Sequence, residues 1–133
     1  MTRDAFERLV ADAIRRIPDR FRREMQNLAV VVEDTPDPRL LVEMGIEPPD
    51  SLYGLYQGTP LPERQWADGN RLPDQITLYQ RTIEQDAEDD EDAGDMIAET
   101  LIHEVGHYFG LSEEEIEAIE EQYWRGQPDE AES

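Results

Sequence analysis

Near the start of the chain, apolar residues recur at three- and four-residue intervals: Phe6, Leu9, Val10, Ala13, Ile14 and Ile17. Such spacing lines one face of a helix, so residues 3 to 17 are predicted to be an amphipathic helix, with Thr2 and Asp4 suited to its start and Pro18 ending it. The period then changes. Leu28-Ala29-Val30-Val31-Val32 is short, β-branched and followed by Asp34, Pro36 and Pro38, which predicts a buried strand with a turn behind it. Residues 34 to 51 read as loop, with a short helical turn at Leu40, Leu41 and Val42. Leu52 to Gly58 reads as a second strand, and Pro60, Pro62, Gly69 and Pro73 keep residues 59 to 74 irregular. From Gln75 to Ile83, Ile76, Leu78 and Gln80 alternate with Thr77, Tyr79 and Arg81, the mark of a third strand. Ile97, Leu101, Val105 and Phe109 advance by four, so Met96 to Phe109 is predicted to be a helix that buries this stripe against the sheet. A last helix follows Ser112, whose spacing to Glu115 suits a capping box, with Leu111 stapling onto Ile116; Ile116, Ile119 and Tyr123 form its inner stripe.

Charge changes the picture of the second half. The chain has 133 residues, 33 of them acidic against 12 basic, for a formal net charge of −21. Its basic residues are all Arg, and seven lie in the first 23 positions, whereas from residue 84 onward Arg125 stands alone among 19 acids. That half repels nucleic acid, and no nucleic-acid partner is expected; the Arg-rich start is read as a solvated helix face that balances it. Residues 84 to 95, centred on Glu88-Asp89-Asp90-Glu91-Asp92, read as an acidic, mobile loop rather than a calcium loop, because placing Gly94 at the sixth position of the EF-hand pattern puts Ala93 at the fifth. Residues 1 to 127 are expected to form one domain, and 128 to 133 a disordered acidic tail. No apolar run of membrane-spanning length occurs, and the charged start lacks a signal-peptide core, so a cytoplasmic location without membrane contact is expected.

With no cysteine, disulfides and thiolate sites are excluded, and any metal must be held by His and carboxylate. The chain has two His, and they stand four apart: His103-Glu104-Val105-Gly106-His107. On a helix both project from the side opposite Ile97, Leu101 and Val105, one turn apart, and can chelate a single Zn²⁺ or a similar divalent ion. Glu104 is then close enough to act as general base toward water at the metal without itself being a ligand. Chance gives this arrangement in about two sequences per thousand of this composition. A third ligand is needed. Gly110 can end the helix in a left-handed residue and turn the chain back, which makes Glu113 the first candidate, with Glu114, Glu117, Glu120 and Glu121 as rivals.

Residues His103 to Glu113 resemble the zincin signature in its extended form, with an acid where many metzincins carry a third His. Four segments in order, Asn27 to Asp34, Gly54 to Gly58, Leu72 to Thr77 and His103 to Gly110, resemble the minimal zincin-like metallopeptidase family over roughly residues 5 to 122. The resemblance implies an α+β fold, a short mixed sheet packed against the N-terminal helix and the HExxH helix, with a C-terminal helix. It also implies that Leu52 to Gly58, and within it Leu55, Tyr56 and Gln57, is the sheet edge that receives an extended substrate. No Met follows Gly110, so the methionine turn of true metzincins is absent.

Two functions follow from these residues. One is a zinc-dependent metallopeptidase acting on a peptide or protein substrate, with Glu104 as general base and zinc on His103, His107 and Glu113. In that reading Tyr56, Tyr79, Tyr108 and Tyr123 are the candidate oxyanion donors, each better suited to packing. The other is a non-catalytic protein that keeps a vestigial or regulatory metal site and works by binding a partner; the small size and the missing Met motivate it.

Overall fold

The computed structural model describes residues 1–23, 25, 27–58 and 74–121. The first helix, α1 (Arg3–Arg16), forms as its periodicity predicts: Thr2 Oγ1 accepts from Ala5 N at 3.0 Å, capping the start, and Phe6, Val10 and Ala13 are its buried face. A four-residue turn of helix, α2 (Asp19–Arg22), follows Pro18. Strand β1 (Leu28–Glu33) leads through α3 (Pro38–Glu43) to strand β2 (Gly54–Gln57), then come strand β3 (Asp74–Tyr79), α4 (Gln80–Asp86) and α5 (Asp90–Tyr108). Residues 113–121 form a further helix, α6.

The sheet order is β1-β3-β2, with β1 parallel and β2 antiparallel to β3, so the mixed sheet expected from the resemblance is present and, among the described residues, β2 is an edge. Register pairs Leu55 with Thr77 and Gln57 with Gln75, while Tyr79 N donates to Tyr53 O at 2.9 Å. Antiparallel alternation therefore turns the backbone groups of Gly54 and Tyr56 away from β3. Between sheet and helices lies an apolar cluster that includes Phe6 and Val10 of α1, Ile76 and Leu78 of β3, and Ile97, Leu101 and Val105 of α5. Burying a side chain of this size contributes about 1.5–3 kcal/mol. Phe109, predicted at the end of the stripe, packs against the cluster from a partly exposed position.

Three expectations are corrected. The third strand does not run to Ile83: it stops at Tyr79, and Gln80–Asp86 is helical, with Ile83 fully buried. Alternation fails as a guide there because strand passes into helix with no intervening turn. The acidic stretch 84 to 95 is not a mobile loop either. Asp89 Oδ1 accepts from Asp92 N at 2.8 Å and caps α5, whose first turn carries Asp90, Glu91 and Asp92, and Ala93 is 1% exposed. Ala93 continues the stripe of Ile97 and Leu101 by one step of four, and carboxylates at a helix start are stabilised by the partial positive charge of its free N–H groups. The second strand is shorter than Leu52 to Gly58. The irregular stretch 59 to 73, with Leu72 and Pro73 of the third motif, and Tyr123 and the tail at 128 to 133 all lie outside the described residues.

The Arg-rich start is partly structural. Arg3 donates to Gln80 Oε1 at 2.7 Å, to Val32 O at 3.0 Å and to Asp34 Oδ1 at 2.5 Å, tying α1 to the C-terminal end of β1 and to α4. Arg16 lies 3.8 Å from Asp95 of α5. Among the described residues no helix is long and apolar enough to cross a membrane.

Candidate metal centre

Helix α5 ends as Gly110 requires. Gly110 has φ +72°, a conformation that side chains disfavour, with Gly110 N bonded to His107 O and Leu111 N to Gly106 O, each at 3.0 Å. This paired closure reverses the chain. Ser112 then starts α6 with a complete capping box: Glu115 N donates to Ser112 Oγ at 3.1 Å, and Ser112 N donates to Glu115 Oε1 at 3.0 Å. Those bonds hold the Glu115 carboxyl below the usual carboxylate range. Helix α6 packs back onto α5 through Ile116, 1% exposed, directly over Gly106. A Cβ at position 106 would lie 2.5 Å from Ile116 Cγ1, so the glycine inside the motif is what lets the two helices approach.

That approach brings carboxylates to the imidazoles. His103 and His107 are half-buried, with ring centroids 4.9 Å apart. The two oxygens of Glu113 divide between them, Oε2 at 3.6 Å from His103 Nε2 and Oε1 at 3.3 Å from His107 Nε2. Glu120 reaches the other ring nitrogen of His103, with Oε1 at 3.1 Å from Nδ1. The remaining rivals Glu114, Glu117 and Glu121 are exposed.

Glu104 is the buried member of the group, and Tyr56 N of the edge strand donates to its Oε1 at 2.8 Å. Burial pushes its carboxyl up; the Tyr56 bond and the two imidazoles oppose the shift. One ligand atom from each of His103, Glu104 and His107 lies within 4.8 Å of the others, a cluster able to bind a metal. Apart from its 3.3 Å approach to Glu113 Oε1, the buried His107 Nε2 has no hydrogen-bond partner among the described residues. A donor set of two imidazoles and a carboxylate, with one buried imidazole nitrogen left without a hydrogen bond among the described residues, fits a divalent metal.

Beside the cluster is a cavity of about 370 Å³ whose lining includes Tyr53, Gly54, Glu99, Thr100, His103 and Glu120. Burial pushes the Glu99 carboxyl up, and the charge of Glu120 adds to the shift. Of the edge residues, Tyr56 lies against the centre through its backbone, while its hydroxyl donates to buried Asp74 at 2.6 Å. Tyr79 and Tyr108 are buried as packing residues. Of these contacts, sequence reasoning missed the Tyr56 amide and named Glu120 only as a rival third ligand. The Tyr56 amide has no sequence signal, being a main-chain group. Glu120 has one, because it is seven residues from Glu113, two turns along the same helix face, with Ile116 between them.

The family model for zincin-like metallopeptidases matches residues 25–123. Among solved structures, the chain is similar to a conserved hypothetical protein from Thermo thermophilus, with 25% identity and a TM-score of 0.56 over 82% of this chain and 94% of that one. No curated protein matches the chain. The family match takes in β1, the edge strand, β3, the HExxH helix and the turn to α6, the elements that assemble the centre, and the chain belongs to the zincin-like metallopeptidase family.

Proposed function

We propose that the protein is a zinc-dependent peptidase, with His103, His107 and Glu113 holding the metal and Glu104 as general base. The observation that carries this reading is the convergence of both Nε2 atoms on the Glu113 carboxylate, with buried Glu104 beside them. Zinc bound there supplies a Lewis acid that polarises a carbonyl and brings the pKa of water toward neutrality. Glu104 accepts the water proton and passes it to the departing amine. Its burial favours that exchange, since a raised pKa brings proton affinity nearer the working pH. Edge strand β2 orients the substrate: an extended peptide pairs with the outward backbone groups near Leu55, Tyr56 and Gln57. Pairing at the Tyr56 amide takes the donor now on Glu104 and leaves that carboxylate free to receive a proton.

The test combines metal content with one substitution. Protein purified without a His tag and supplemented with zinc should retain one equivalent, and a quenched peptide library should be cleaved. Glu104→Gln should keep zinc affinity within a few-fold while removing hydrolysis, because the amide fills the same space but cannot accept the proton. Failure of the wild type to retain zinc would sink the enzyme reading and favour the non-catalytic partner-binding protein, whose motivation is the missing Met after Gly110. Equal loss of zinc and activity in Glu104→Gln would contradict the role given to Glu104.

A further inference from the structure

Glu120 lies on α6 with a side chain 19% exposed, and its Oε1 is 3.1 Å from His103 Nδ1, on the far side of the ring from Glu113. A carboxylate accepts and does not donate, and of the two carboxylates facing the ring only Glu120, at 3.1 Å from Nδ1 against 3.6 Å from Nε2 to Glu113, is within hydrogen-bond distance, so this contact favours the tautomer with the proton on Nδ1. The lone pair is then left on Nε2, the nitrogen that faces Glu113. In the opposite tautomer an N–H would point into the space where Glu113 and both Nε2 atoms converge, and His103 could not ligate without first moving that proton. We propose that Glu120 is a positioning residue, a carboxylate that fixes the tautomer and ring orientation of His103 and so prepares it to bind metal. The inference rests on the reading of His103 as a ligand.

The geometry separates Glu120 from the ligand role for which composition made it a rival. A ligating carboxylate must share the space between the two Nε2 atoms, and Glu113 has one oxygen toward each. Glu120 instead meets the single nitrogen that faces away. It arrives on the same docking as Glu113, because positions 113, 116 and 120 form one stripe of α6 and Ile116 is the buried anchor between them. Outer carboxylates that accept from a ligating imidazole hold the ring in its binding orientation and raise its basicity, and their removal typically weakens metal affinity about 10- to 100-fold.

The experiment uses full-length protein with Zn²⁺ as the probe. Metal-free wild type, Glu120→Gln, Glu120→Ala and Glu113→Ala are titrated with zinc against a competing chelator, and the His103 tautomer in the metal-free proteins is read from ¹⁵N shifts at mildly alkaline pH. Wild type should show the Nδ1–H form, and Glu120→Ala should shift toward the Nε2–H form that free histidine favours. Zinc affinity should fall about 10- to 100-fold in Glu120→Ala and recover in large part in Glu120→Gln, whose amide oxygen accepts the same bond. Should the alanine variant fail to fold, the glutamine variant and the wild-type tautomer still decide, since a Nε2–H wild type overturns the proposal. Wild-type affinity in Glu120→Ala, or a loss as complete as that of Glu113→Ala, also overturns it. Absence of zinc binding by the wild type would sink the peptidase reading, while the tautomer measurement would still report on Glu120.

Discussion

Two acidic segments of this chain have nearly the same composition and different work. Residues 88 to 92 and 113 to 117 are each rich in Asp and Glu, and each opens a helix with a side-chain cap, Asp89 for α5 and Ser112 for α6. In the first, Asp90, Glu91 and Asp92 sit in the opening turn of α5, where they complement the helix dipole. Thirteen residues of helix separate Asp90 from His103, a rise of about 20 Å, which keeps those carboxylates away from the imidazoles. The second segment is folded back by Gly110 and seated on Gly106 through Ile116, which puts Glu113, and Glu120 further along the same helix, within ion-pair distance of His103. A carboxylate here becomes a candidate ligand through the element it packs against, not through the acids around it in sequence.

The largest expected break in this contrast is at Glu113. Glu113→Ala should weaken zinc binding by more than the about 10- to 100-fold typical of losing an outer contact, with apo stability little changed because the residue is exposed. Glu91→Ala, the matching change in the first segment, should leave zinc affinity at the wild-type value, and calorimetric titration of metal-free protein checks both. Wild-type affinity in Glu113→Ala would end the correspondence with the extended zincin signature at Gly110.

Next in size is Gly106→Ala. The added methyl meets a buried Ile116 at 2.5 Å, so α6 must shift, and a stability loss of about 1–3 kcal/mol is expected together with weaker zinc binding. Urea unfolding and the same titration measure the two effects. Weakened stability at full zinc affinity would mean that the docking of α6 does not set the ligand geometry.

The smallest effects sharpen the comparison, because at the caps the two segments should behave alike. Asp89→Ala and Ser112→Ala should each cost about 0.5–2 kcal/mol in denaturant unfolding, with zinc affinity little changed. They should differ in acid. Since the bonds to Ser112 lower the Glu115 carboxyl in the folded protein, its stabilisation is present above the ordinary value of 4.5 and fades as pH falls below it. Glu115→Gln should therefore flatten part of the acid limb of the stability profile, and Ser112→Ala, which keeps the main-chain N–H that Glu115 accepts, should flatten it less. A loss of zinc in Ser112→Ala matching that of Glu113→Ala would show that capping and coordination are not separable at the start of α6.

The local features were legible from the residues. Thr2 capping α1, the buried stripe of Ile97, Leu101 and Val105, the left-handed Gly110 and the Ser112–Glu115 box each depend on partners within about one turn, and that range of interaction is written directly in sequence spacing. The same short range explains the spacing of His103, Glu104 and His107, which the helix brings together with no help from the rest of the fold. The acidic start of α5 was hidden because its run of charges outweighed the single small residue, Ala93, that continues the stripe. The passage from β3 into α4 was hidden because no turn separates them, and the buried Gln80 at the junction is held by Arg3 from the start of the chain. Only tertiary structure divided the acids of α6 between Glu113, on the nitrogens that converge, and Glu120, on the one that does not. Only tertiary structure put the Tyr56 amide on Glu104. Those assignments depend on how closely two helices and a sheet edge pack, a distance set by side-chain volumes on separate elements that no local spacing encodes.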